Sequence, residues 1–262
     1  MIVFFDIDGT LVDDRTQILP DSTVRAIHAL RENGHIPAIA TGRPFTHIDP
    51  RVRALPFQGF VCGCGMEVRL EDRWLLRNQP DTALCTYVRD SIRECNMQVL
   101  FEQREGAILV DGQWSSHPGC VMESQRMAKK GVPIVELDSL SEPHFMKFVT
   151  LDGLQNCRRA EFLKRMEPYF NIIIRDYTLV EYMQKGCSKG NGMQVLLKEL
   201  GLSREDTLAI GDSTNDLPMF EAAGHTVCMG GGMEKAKEAA EFVTGRVLED
   251  GIETALKHFD LI

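Results

Sequence analysis

The chain has 262 residues, of which 44% are hydrophobic, 26% charged and 7% aromatic, with a formal charge of −9. This composition excludes a disordered or fibrous chain, and at this length one domain with an insertion, or two domains, is expected. Net negative charge without a compensating basic run argues against nucleic acid and anionic membrane surfaces as partners, although a few cations converging in one pocket could still bind a small anion.

The N-terminus runs Met1-Ile-Val-Phe-Phe-Asp6. It lacks a basic n-region and a long h-region, and no apolar stretch approaches the ~18 residues that span a bilayer, so a cytoplasmic protein is expected. Eight scattered cysteines then read as small buried hydrophobes in a reducing compartment, with no structural disulfide. Cys62 and Cys64 form a C-x-C without a second pair at zinc-finger spacing, which favours packing over metal.

Ile2 to Phe5 is a wholly apolar run that stops at an acid, the pattern of a strand buried on both faces with a site at its end. Val24, Ile27 and Leu30 recur at helical spacing, with Asp21 or Ser22 as cap and Gly34 as stop. Ile36 to Ala40 is a second buried strand, and strand, helix, strand is the unit of a parallel sheet. Phe60 to Cys62 is a third, followed by a hairpin from Met66 to Leu76 around Glu71-Asp72.

From about Asp81 the rhythm changes. A helix carries Leu84, Val88 and Ile92, a hairpin turns at Arg104-Glu105-Gly106, and strands at 146–151, 170–174 and 179–183 accompany a helix near 158–166. Antiparallel pairs mixed with helices indicate α+β. After Gly186 the α/β pattern returns: a helix through Val195 and Leu200, a strand at 207–210, a helix from near Asn215, a strand at 226–229 and two closing helices. The expected fold is therefore α/β, a Rossmann-like parallel-sheet core formed by residues 1–80 and 186–262, with an inserted α+β cap domain at 81–185.

Ligands of open α/β sheets bind at the carboxyl ends of strands, and four polar signatures fall there or at a helix start. They are Asp6-Ile7-Asp8-Gly9-Thr10, Thr41-Gly42-Arg43, Gly186-Cys187-Ser188-Lys189-Gly190 and Gly211-Asp212-Ser213-Thr214-Asn215-Asp216. If the strand ends meet, Asp6, Asp8, Asp212 and Asp216 crowd together, and their repulsion is relieved by protonation or by a cation. Hard oxygen donors with water positions to spare suit Mg²⁺. Such a cluster beside Lys189, Arg43 and hydroxyl donors is a place for a phosphoryl dianion. Asp6 at the strand tip can attack phosphorus, and Asp8, on the same side of an extended chain, can protonate the leaving oxygen and later deprotonate water.

These motifs, in this order, resemble the haloacid dehalogenase superfamily, specifically its Cof-type sugar phosphatases with a large α/β cap. The resemblance covers essentially the whole chain, and the insertion falls between the second and third motifs, where that subclass carries its cap. It implies that Asp6 is nucleophile and metal ligand, and that Asp8 is acid/base and binds metal through its backbone carbonyl. It further implies that Thr41 and Lys189 hold the phosphoryl oxygens within a substrate site that includes Gly42, that Asp212 is the third protein ligand to Mg²⁺, that Asn215 touches phosphate, and that Asp216 supports the metal shell. Arg43 is open between substrate contact and a surface salt bridge. Two departures from the family pattern are Cys64-Gly65 in place of Asn-Gly and Gly231-Gly232 in place of Asn-Ala, both bearing on substrate rather than on chemistry. The expected activity is Mg²⁺-dependent hydrolysis of small phosphorylated metabolites, sugar phosphates first, through an aspartyl phosphate. A phosphosugar mutase and a non-catalytic phosphate-binding module are the alternatives; retention of Asp8 argues against the second. Trp114 and His117 in the insertion are candidate sugar contacts but fit packing better.

Overall fold

The computed structural model describes residues 1–129, 131–151, 155–174 and 179–262. In chain order the elements begin with β1 (Ile2–Phe5), α1 (Asp21–Glu32), β2 (Ile36–Ala40), α2 (Pro50–Arg53), β3 (Gly59–Cys62), β4 (Glu67–Leu70) and β5 (Arg73–Arg77). The insertion supplies α3 (Thr82–Cys95), β6 (Gln98–Glu102), β7 (Ile108–Val110), α4 (Pro118–Lys129), β8 (Ile134–Glu136), β9 (Lys147–Leu151), α5 (Arg159–Met166), β10 (Phe170–Ile174) and β11 (Val180–Gln184). The chain closes with α6 (Lys189–Leu200), β12 (Thr207–Gly211), α7 (Leu217–Ala222), β13 (His225–Cys228), α8 (Glu234–Ala239), β14 (Phe242–Val243) and α9 (Gly251–His258).

Two compact units result. The first comprises Met1–Arg43, Ile48–Arg77 and Cys187–Ile262; the second comprises Pro44–His47 and Asn78–Gly186. In the first, eight strands form one sheet in the order β14-β13-β12-β1-β2-β3-β4-β5, parallel through β3 and antiparallel at the hairpin. The chain winds outward from β1 in both directions, so the switch point lies between β1 and β12, where open α/β sheets leave a crevice beyond the strand ends. Asp6 and Asp212 follow those two neighbouring strands.

The apolar run of β1 is explained by burial on both faces. Ile2 and Phe4 join Ala38, Ala40, Met193, Leu196, Ala209 and Phe220 on one side, while Phe5 meets Phe57 edge-on at 6.0 Å on the other. Each such side chain contributes roughly 1.5–3 kcal/mol when fully buried. The site therefore stands at the end of a fully buried strand.

The second unit has a six-stranded sheet in the order β10-β11-β9-β6-β7-β8, antiparallel except between β7 and β8. Phe148 of β9 centres its core, stacked on Tyr182 at 4.5 Å and edge-on to Phe162 and Phe170. Helices α3 and α5 supply Val88, Ile92 and Phe162 to that cluster, and Cys120 of α4 packs with Leu100 and Ile108 in a second one.

The expected fold class is observed, with two differences of detail. Pro20, not Asp21 or Ser22, occupies the N-cap of α1, and Asp21 instead lies in the first turn, where a carboxylate complements the helix dipole. The sequence reading also omits α2, α4, β8 and β14. Of the α4 residues only Cys120 is fully buried, so no apolar stripe marks the helix. The eight cysteines are thiols, all but Cys157 buried. Trp114 packs against the second unit's core beneath the Arg93 guanidinium, and the half-buried His117 accepts the Gly119 amide at 3.0 Å. Among the described residues no helix is long and apolar enough to cross a membrane.

Candidate active site

Beyond Phe5 the chain leaves the sheet in a tight loop in which the Ile7 carbonyl accepts the amides of Thr10, Leu11 and Val12. Gly9 turns this loop with φ +77°, and a Cβ there would lie 2.6 Å from an Asp212 carboxylate oxygen. The position demands glycine for both reasons. Thr10, fully buried, donates to Asp212 Oδ1 at 3.3 Å, which ties the β1 loop to the β12 loop.

Asp6, Asp212 and Asp216 each place a carboxylate oxygen within 4.8 Å of the others. Lys189 enters this group from the first position of α6, whose N-cap Ser188 accepts the Asn191 amide at 3.0 Å. Its buried ammonium donates to Asp6 Oδ1 at 2.7 Å and to Asp216 Oδ1 at 2.5 Å. Asp216 Oδ2 accepts the amides of Asp212 and Ser213, each at 3.0 Å. Both Asp216 oxygens are thereby engaged by protein groups, and this residue braces the β12 loop and the lysine.

Burial raises the Asp6 carboxyl to about 7, reinforced by Asp216 and Asp8 and opposed by Lys189. Burial likewise raises Asp212 to about 8, with Asp6 and Asp216 adding to the effect. For Lys189 burial alone would lower the ammonium, but Asp216 and Asp6 outweigh it and hold the lysine charged. When ionised, three carboxylates and one ammonium sum to −2, the charge a divalent cation neutralises. The donor set is all oxygen, as hard cations require, so these residues fit one. Asp6 and Asp212 have carboxylate oxygens to offer it.

A folded-state value above the ordinary 3.8 means that these protons are held more tightly in the folded chain. Their contribution to stability is full below about pH 4 and is lost as pH rises through about 7 and 8. In chelator, Asp212→Asn should therefore gain in melting temperature relative to wild type as pH is raised from about 5 to about 9. A divalent cation held by these carboxylates should erase that gain by stabilising wild type. A difference that stays constant with pH would contradict the crowding.

The remaining expected residues form a second group. Asp8 is held by Arg43, whose Nε donates to Oδ2 at 2.6 Å and whose Nη2 donates to Oδ1. Thr41, buried at the end of β2, accepts the Arg43 amide at 3.2 Å through Oγ1. Gly42 stands beside Asn215 and Cys64, its missing Cβ lying 3.8 Å from the Asn215 amide nitrogen and 3.4 Å from the thiol sulfur. Asn215 Oδ1 accepts the Ser213 hydroxyl at 2.8 Å. Cys64 is buried with φ +53° and ψ +45°, a conformation that asparagine or glycine adopts more readily than cysteine. Sequence reasoning assigned no role to Thr10 or Ser213, although each is a hydroxyl within one of the acidic loop motifs.

A family model described as haloacid dehalogenase-like hydrolase matches residues 3–256. YkrA of Bacillus subtilis (strain 168) is 30% identical over 267 residues, covering 100% of this chain and 98% of that protein. The 5-amino-6-(5-phospho-D-ribitylamino)uracil phosphatase YcsE of the same organism is 25% identical over 264 residues, covering 99% and 96%. Among solved structures, BT1666 from Bacteroides thetaiotaomicron, described among phosphatases of that superfamily, superimposes with a TM-score of 0.83 at 25% identity, covering 100% of this chain and 95% of that one.

Proposed function

The chain belongs to the haloacid dehalogenase-like hydrolases of the Cof type and is a phosphatase; we propose that it depends on magnesium, hydrolyses small phosphorylated metabolites, sugar phosphates first among them, and works through an aspartyl phosphate on Asp6. The observation that carries this reading is the division of labour among the carboxylates. Asp6 lies in the carboxylate cluster with Lys189 on one oxygen, while Asp8, two residues on, is held by Arg43. Two carboxylates in different settings support covalent chemistry at one and proton transfer at the other, the two roles of a two-step phosphoryl transfer.

Asp6 and Asp212, with the Asp8 carbonyl, are the residues that would hold magnesium. When bound, the ion supplies Lewis-acid stabilisation of phosphoryl charge. The protein's own part begins with Lys189, which holds a fixed positive charge beside the nucleophile at no cost of reorganisation. Asp6 Oδ2 forms a bond to phosphorus as the ester oxygen departs, and Asp8 delivers a proton to that oxygen. Water then attacks the phosphoaspartate, Asp8 takes its proton, and Asp6 is restored. Thr41, Gly42 and Asn215 line the phosphoryl position, and Asp216 keeps Lys189 and the β12 loop in place.

Residues 1–80 and 186–262 serve in this reading as the catalytic core and 81–185 as the cap that selects substrate. A phosphorylated ribityl chain in the name of YcsE supports a polyol or sugar phosphate ester. The cysteines, all thiols, suit the cytoplasm. The test is phosphate release across a panel of phosphorylated metabolites, with magnesium and after chelation. Release from hexose or pentitol phosphates that stops on chelation and resumes with magnesium is expected. Full release in chelator would refute the metal requirement, and conversion of a sugar phosphate to its isomer without free phosphate would indicate a mutase.

A further inference from the structure

Arg43 makes a two-point contact with a single carboxylate. Its Nε and Nη2, one edge of the guanidinium fork, are both spent on the two oxygens of Asp8. Arginine holds a carboxylate bidentately in a fixed plane, which lysine cannot do. The backbone of Arg43 is fixed in turn: its amide donates to Thr41 Oγ1, and its carbonyl accepts the Gly63 amide at 2.8 Å.

We propose that Arg43 is a positioning residue that acts through Asp8. The proposal rests on the phosphatase reading. In the first step the phosphorus bond to Asp6 forms, the bond to the substrate oxygen breaks, and the Asp8 proton passes to that oxygen. In the second the bond from water oxygen to phosphorus forms, the bond to Asp6 breaks, and the water proton passes to Asp8. The same carboxylate must stand within hydrogen-bond reach of two different oxygens in turn. A carboxylate has about four lone-pair sites, so two taken by Arg43 leave two for those transfers. Displacement by ~1 Å costs on the order of 10²-fold in rate.

A double-mutant cycle in the full-length, magnesium-loaded enzyme decides the matter, using Arg43→Ala and Asp8→Asn singly and together. Arg43→Ala should lower kcat for a hexose phosphate by on the order of 10²-fold, with KM and inhibition by inorganic phosphate within about threefold. With p-nitrophenyl phosphate it should give a nitrophenol burst and a phosphoaspartate visible by intact mass. In the Asp8→Asn background the same substitution should change kcat/KM by less than about twofold, because a residue acting through Asp8 has nothing left to position. Arg43→Lys should restore part of the rate. Additive losses, or a tenfold weaker inhibition by inorganic phosphate in Arg43→Ala, would overturn the proposal by making Arg43 a phosphate anchor. If Asp8→Asn neither bursts nor accumulates phosphoenzyme while wild type turns over, the two-role reading itself fails, whatever Arg43 does.

Discussion

Asp6→Asn is expected to lower phosphate release by on the order of 10⁵-fold or more, the scale of losing the nucleophile from a concerted catalytic unit. The amide keeps the shape of the side chain, and its oxygen can still accept the Lys189 ammonium that now bonds Asp6 Oδ1. It cannot form an acyl phosphate. Because burial, Asp216 and Asp8 disfavour the ionised carboxylate of Asp6, the metal-free variant should melt at or above the temperature of metal-free wild type. A malachite-green assay with magnesium, a melting curve in chelator and intact mass after incubation with substrate check the three parts of this expectation. Wild-type turnover by Asp6→Asn, measured free of contaminating phosphatase, would end the nucleophile assignment.

What the sequence disclosed about this site, and what it withheld, follow from the range of the interactions concerned. Asp6, Asp212 and Lys189 were legible because each interrupts a pattern: an acid ends a run of four buried apolar residues, and a lysine opens a helix in a glycine-rich turn. Strand-end chemistry then requires only that β1 and β12 be neighbours, as the parallel sheet makes them. The partner of Arg43 was not legible. Substrate contact and surface ion pair are equally compatible with Thr41-Gly42-Arg43, and the choice is made by how the β2 loop folds toward the turn after Asp6, a tertiary matter. The same holds for Asp216, whose two oxygens are committed to Lys189 and to two amides that no local pattern identifies. Residues 44–47 follow a core motif in sequence yet belong with the inserted unit through long-range bonds at Arg104 and Gly106. Local propensity gave no hint of this, since a proline and a short 3₁₀ turn read as an ordinary loop.

The two carboxylates of the first motif should separate sharply when the second is removed. Asp8→Asn keeps the hydrogen bonds that join Asp6, Asp216 and Lys189, because the Asp8 side chain is bound instead to Arg43. Formation of the phosphoaspartate should therefore survive wherever the leaving group departs without a proton. An alkoxide from a sugar phosphate needs that proton in the transition state, whereas nitrophenolate departs with little help, and acid/base assistance is worth ~10² to 10⁴ in rate. Hydrolysis of hexose phosphates should fall by that factor already in the first step. With p-nitrophenyl phosphate the first step should run near its normal rate and the second should stall, since water attacking the phosphoaspartate also requires Asp8 as base. Mixing Asp8→Asn with the aryl ester should then release about one equivalent of nitrophenol in a burst, followed by slow turnover. Rapid quench and intact-mass measurement should show one added phosphoryl group, absent from the Asp6→Asn, Asp8→Asn double variant. If Asp8→Asn instead loses both substrates equally, with no burst and no added mass, the pair Asp8–Arg43 is a structural brace of the β1 loop, and proton transfer must be assigned to another group.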